Sequence, residues 1–150
     1  MRVFLCIFKD FSVAIPMSWV SSLFIYTEDA LNKAALNEAA HNEAVVYNSE
    51  TQDFLVSLFC LFNIPPQTTK HGIVLKNETY PKKITLLSTQ VDSEIEIADS
   101  KIYPIPKTLN GMLFSSFFSG IQFPQDTESK PIIILNPEKL IHYIKGKNYD

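Results

Sequence analysis

Apolar residues in this chain come in short runs separated by polar or proline-bearing turns. Residues 2–8 (RVFLCIF) and 11–15 (FSVAI), parted by Lys9 and Asp10, predict two strands joined as a hairpin. Pro16 stops the second strand because it has no N–H for a ladder, and 17–22 predicts an irregular or one-turn helical stretch before the apolar run from Leu23 to Tyr26. AVVY (44–47) and a polar turn from Asn48 to Asp53 lead into FLVSLFCLF (54–62), which suits a strand, a helix or one turning into the other. HGIVLK (71–76) and KKITLLS (82–88) flank a polar turn, and EIEI (94–97) alternates strictly, as a half-buried strand does. IYPIP (102–106) is held extended by its prolines, and MLFSSFFSGIQF (112–123) with PIIIL (131–135) predicts a second hairpin. A helix closes the chain over 138–145: Asn136 is a natural N-cap, Pro137 suits the first helical position, and Leu140, Ile141 and Ile144 form an apolar face.

One segment has a different texture. Residues 30–44 are three tandem pentads, ALNKA, ALNEA and AHNEA, made of good helix formers. A period of five matches no helical face: Leu31 and Leu36 fall about 140° apart on a helix, so no wide core stripe forms. The Ala/Asn-rich stretch 28–44 therefore predicts an exposed, partly helical insert. Strands this short at this spacing, with a single terminal helix, predict an all-β chain built as a barrel or a pair of small barrels.

Composition narrows the function. A chain of 150 residues, 46% hydrophobic, holds enough apolar material for one domain with its own core, and 12% aromatic residues with only 19% charged ones exclude a disordered chain. Thirteen basic and 16 acidic residues leave a net charge of -3, without the basic surplus of a nucleic-acid or anionic-membrane binder. The 4 glycines, at 72, 111, 120 and 146, build no phosphate-cradling loop. The uncharged run from Phe11 to Tyr26 contains Pro16 and is shorter than the roughly 20 residues of a spanning helix, so no membrane insertion is expected. Lys9 and Asp10 break the N-terminal apolar stretch before it reaches the length of a secretory signal, and Cys6 and Cys60, both inside apolar runs, read as buried thiols; a cytoplasmic protein is expected.

Reactive chemistry is sparse. His41, His71 and His142 have no second ligand at metal-binding spacing and read as surface or capping residues. Cys60 lies between Phe59 and Leu61, an apolar setting that suppresses a thiolate nucleophile. Asp92, Glu94 and Glu96 share one face of an alternating strand, with Asp99 nearby, and predict a solvated face rather than an acid–base pair. Phe114, Phe117, Phe118 and Phe123 have no interleaved basic residues and read as core rather than as a base-stacking surface. What remains is a non-enzymatic interaction module without cofactor or metal; a small β-barrel enzyme or ligand carrier would instead need a pocket with convergent polar groups.

Several segments, in order, resemble the CheW-like domain, the adaptor fold of bacterial chemotaxis. FLCIFKDFSVAIPMSWVSSLFIY (4–26) looks like that family's opening strands, and VVYNSETQDFLVSLFCLF (45–62) sits where it has a turn, a strand and an amphipathic stretch. KIYPIPKT (101–108) is similar to its proline-containing segment, and FFSGIQF (117–123) with PIIILNPEKLI (131–141) resembles its closing hairpin and helix. The resemblance implies two intertwined SH3-like lobes of five strands each, with short helices and a C-terminal helix, spanning 1–150 as one domain. It implies a scaffold that couples a CheA-type histidine kinase, through the kinase's regulatory domain, to the cytoplasmic tips of chemoreceptors. Val20, Ser22 and Leu23 fall on the edge that would meet the kinase, and Asn48, Ser49 and Glu50 near the receptor side. In that turn the family has an Arg-Gly pair where this chain has Ser49 and Glu50, so receptor coupling is the contact the departure touches. The alternative is a degenerate CheW-like module that keeps the fold and serves a partner outside chemotaxis.

Overall fold

The hairpin pattern at the N-terminus folds as its alternation dictates: β1 (Arg2–Ile7) and β2 (Ser12–Pro16) pair antiparallel, from Val3↔Pro16 to Ile7↔Ser12. The structure is a computed structural model that describes residues 1–26, 45–48, 52–62, 69–76, 82–88, 90–105, 117–123 and 130–146. The further strands are β3 (Val20–Ile25), β4 (Val45–Asn48), β5 (Asp53–Ser57), β6 (His71–Leu75), β7 (Lys83–Ser88), β8 (Val91–Glu96), β9 (Phe118–Gln122) and β10 (Ile132–Leu135). Two single turns of 3-10 helix, Met17–Trp19 and Asp99–Lys101, and two α-helices, α1 (Leu58–Leu61) and α2 (Pro137–Lys145), complete the described elements. The chain is mostly β, with two five-stranded sheets and a C-terminal helix, as the strand spacing predicts. The pentads at 30–44 lie outside the described residues.

The chain divides into two compact units, one made of 1–19 and 90–140 and the other of 20–89 and 141–150. The first unit holds the sheet β8-β1-β2-β10-β9. Its central strand β2 is flanked by β1 on one side and by β10, in parallel, on the other, which is why every residue from Ser12 to Pro16 is buried. Val3, Ala14, Ile97 and Ile134 form its core cluster, with Leu5, Ile95, Ile102 and Ile132 packed against it. Asp92, Glu94 and Glu96 are exposed on the outer strand β8, with Glu94 paired to Arg2 and Glu96 to the Met1 ammonium at 2.8 Å, but they do not share one face: a register shift in the β1–β8 ladder sets Asp92 opposite Leu5 and Glu96 opposite Arg2, on opposite sides of the sheet. At the other end, Tyr103 exchanges two backbone hydrogen bonds of 2.8 Å with Ile121 and covers part of β9. The α2 helix starts here: Asn136 Oδ1 accepts from the Lys139 N–H at 3.2 Å, the expected cap.

The second unit holds the sheet β3-β6-β7-β5-β4, antiparallel except for β5 and β7. The ambiguous run 54–62 resolves as strand turning into helix at Leu58. Ile73, Ile84, Leu86, Phe54 and Val56 are fully buried, while Val46, Leu55 and Leu87 form a separate cluster with Tyr26 packed on it. Among the described residues no ladder joins the two outer strands of either sheet.

Two further expectations need correction. Strand β3 starts at Val20 and not at Leu23, because Val20 already pairs with Leu75 and a register shift before Ser22 absorbs the polar Ser21–Ser22 pair. Phe117 and Phe118 are buried as expected, but Phe123 is 50% exposed: it lies past the end of β9, where its ring meets Tyr103 and not the core. Cys6 is buried, as predicted, and the side chain of Cys60 lies outside the described residues.

Candidate functional site

Strand β3 is an outer strand: β6 lies on one side of it, and no described strand lies on the other. Its sequence, VSSLFI, has no charged residue, and neither do the flanking Trp19 and Tyr26. In an antiparallel ladder successive side chains alternate faces. Leu23, opposite Ile73, and Ile25, opposite His71, share one face, and they are 40% and 71% exposed. Phe24 takes the other face and lies flat over Gly72, where an added Cβ would stand 2.5 Å from the Phe24 Cζ atom. A side chain at 72 would have to displace the Phe24 ring. Tyr26 packs edge-on against Phe24 at 4.7 Å.

Behind this edge lies a buried polar pair. Asp53 is buried on β5, and the Thr85 hydroxyl donates to its Oδ2 atom at 3.3 Å. Burial raises the Tyr26 phenol above its ordinary range, and the negative field of Asp53 raises it further. Lysines surround the same sheet: Lys83 Nζ is 6.0 Å from the Phe24 ring, and Lys82 Nζ lies 4.4 Å over the Tyr47 ring.

Of the residues singled out in the sequence, Val20 is half-buried at the start of β3, and Ser22 and Leu23 are exposed along it. Asn48 is the half-buried last residue of β4, the strand at the opposite end of the sheet; Ser49 and Glu50 lie outside the described residues. The structure thus places Val20, Ser22 and Leu23 on one outer strand of the sheet and Asn48 on the other. Sequence reasoning missed Ile25, the most exposed large apolar residue described, and the exposed pair Tyr103 and Phe123, whose rings are 6.0 Å apart. The signal for Ile25 was present: it stands two residues from Leu23 and shares its face. Nothing local marks Phe123, whose exposure depends on where β9 ends.

Among the described residues, no group of three or more His, Cys, Asp or Glu side chains could hold a metal ion, and no helix is long and apolar enough to cross a membrane. His71 is half-buried and His142 exposed, while His41 lies outside the described residues.

No family model matches the sequence, and no curated protein does. Among solved structures the chain is similar to the scaffolding protein TtCheW from Thermoanaerobacter tengcongensis, with a TM-score of 0.62 over 89% of this chain and 87% of that chain at 16% sequence identity. The chain therefore has a CheW-like fold, written in a strongly divergent sequence.

Proposed function

We propose that this protein is a non-enzymatic adaptor of bacterial chemotaxis, a cytoplasmic scaffold that couples a CheA-type histidine kinase to chemoreceptors through protein–protein contacts. The observation that carries this reading is an uncharged outer strand, β3, exposing Leu23 and Ile25, on a chain with a CheW-like fold. An outer strand with apolar side chains and no charge of its own is a surface proteins normally blunt, and its retention suits a docking edge. Val20, Ser22 and Leu23 form the kinase side of the reading, and the turn of Asn48, Ser49 and Glu50 the receptor side. The two lobes act as one domain in this reading, with the 28–44 insert as an accessory.

Titration with the regulatory domain of the CheA-type kinase from the same organism tests it. Micromolar binding that perturbs resonances from Val20 to Tyr26 is expected. Leu23→Asp should weaken that binding by about tenfold or more while changing stability by less than about 0.5 kcal/mol, because Leu23 is a partly exposed edge residue. Silence at high concentration would overturn the kinase assignment. One specific departure favours a second reading: with Ser49 and Glu50 in place of an Arg-Gly pair, a CheW-like module that binds a kinase but no receptor, or serves a partner outside chemotaxis, gains ground. Binding of the kinase domain with no binding of receptor tips would select the first of these, and binding of neither the second.

A further inference from the structure

The β3 edge is defined by its backbone as well as by its side chains. The Tyr26 N–H donates to the Lys70 carbonyl at 2.8 Å, continuing the register in which Ile25 faces His71. Bonded and non-bonded pairs alternate along an antiparallel ladder. Phe24↔Gly72 and Ser22↔Val74 are therefore the bonded pairs, and Leu23 and Ile25 turn their N–H and C=O groups away from β6. These two residues also carry the exposed apolar side chains.

The other face of the same edge is basic. Lys76, which follows Leu75, lies on the face shared by Gly72 and Val74 and is exposed. Lys83, also exposed, brings its Nζ to within 6.0 Å of the Phe24 ring on that face. Among the described residues of this unit the acidic one is Asp53, which is buried and bonded to Thr85. Lys76 and Lys83 thus stand beside the edge, and no exposed carboxylate is among the described residues of this unit.

We propose that β3 takes an added strand from its partner, and that this strand alternates apolar with acidic residues. The proposal rests on the docking reading of β3 and specifies the chemistry of what docks. An antiparallel incoming strand bonds to Leu23 and Ile25 through two of its residues spaced i and i+2. Their side chains lie on the Leu23 and Ile25 face and must be apolar. The residues between and beside them lie on the Ser22 and Phe24 face, beside Lys76 and Lys83, and carboxylates there meet complementary charge. A strand with lysines at those positions meets like charge instead.

The test uses the full chain and a disulfide-cyclised β-hairpin peptide whose outer strand reads Thr-Glu-Val-Glu-Val-Glu-Thr, with a control bearing lysine for each glutamate. At millimolar concentration the acidic hairpin should slow amide hydrogen exchange at Leu23 and Ile25, and the lysine control should bind at least about tenfold more weakly. The double variant Lys76→Glu/Lys83→Glu, altered only at exposed positions, should reverse the preference. Three results would overturn the proposal: unchanged exchange at Leu23 and Ile25 with the acidic hairpin, equal binding of both hairpins, or protection of those amides in a dimer of the protein alone. The last would assign the edge to a second copy. Failure of the kinase regulatory domain to bind bears on the coupling function alone, since the hairpin reads the edge without it.

Discussion

At the scale of single residues, Gly120 is fixed by the close approach of backbone. A Cβ at Gly120 would stand 2.6 Å from Ile102 Cγ2 and 2.8 Å from the Tyr103 carbonyl oxygen, and the second of these is backbone that cannot swing aside. Gly120→Ala should cost about 1–3 kcal/mol of stability, read from the urea midpoint, and should release the Tyr103–Ile121 bridge, seen as faster amide exchange at both residues. Unchanged exchange there would mean the segment from Ile102 to Tyr103 shifts at little cost. Tyr26 gives a prediction in pH. Its phenol is raised in the folded state by burial first and by Asp53 second, so folding opposes its ionisation. Its contribution is complete below the ordinary tyrosine value of about 10 and is lost as pH rises past that value. The stability difference between the wild type and Tyr26→Phe should be constant from about pH 7 to pH 9 and should shift in favour of the variant between about pH 10 and pH 11. A constant difference across the whole range would show that the phenol ionises equally in both states.

Element by element, the outer strands are treated differently. On β9 Tyr103 covers Ile121, and on β8 Asp92, Glu94 and Glu96 stand exposed along the edge, where charge blocks pairing with another chain. Only polar hydroxyls and apolar side chains stand on β3. If the carboxylates of β8 are protective, Glu94→Val/Glu96→Val should leave the fold intact and make the protein self-associate at concentrations where the wild type sediments as a smaller species. Unchanged sedimentation would mean that the twist or ends of β8, and not its charge, keep it from pairing. This contrast between edges was half legible beforehand. The alternation of Glu94 to Ile97 announces a one-sided strand from sequence alone, whereas the outer position of β3 depends on which strand lies beside it. The hairpins β1–β2 and β9–β10 and the cap at Asn136 were readable because each is set by residues a few positions apart. The start of β3 was misread because two serines look like a turn until a register shift seats them in the ladder.

For the whole molecule, what local pattern could not supply was the order of the strands. Both parallel pairings, β2 with β10 and β5 with β7, join segments far apart in sequence, and periodicity carries no information about them. They also decide how the two units depend on the chain. All five strands of the second sheet lie within 20–89, a continuous stretch, but the first sheet takes β1 and β2 from the start of the chain and β8, β9 and β10 from beyond residue 89. A chain ending at Thr89 keeps every strand of the second sheet and leaves the first as a lone β1–β2 hairpin, stripped of β8 on one side and β10 on the other. An isolated two-stranded hairpin is marginal in water, and β2, buried along its whole length in the intact chain, would expose Val13, Ala14 and Ile15. The fragment 1–89 should therefore show rapid amide exchange throughout β1 and β2 while β6 and β7 remain protected. Protection spread evenly over all four strands would mean that the hairpin is stable without its neighbours. Loss of protection in all of them would mean that the second sheet needs residues beyond 89, the end of α2 from Ile141 to Lys145 being the part of its unit that the truncation removes.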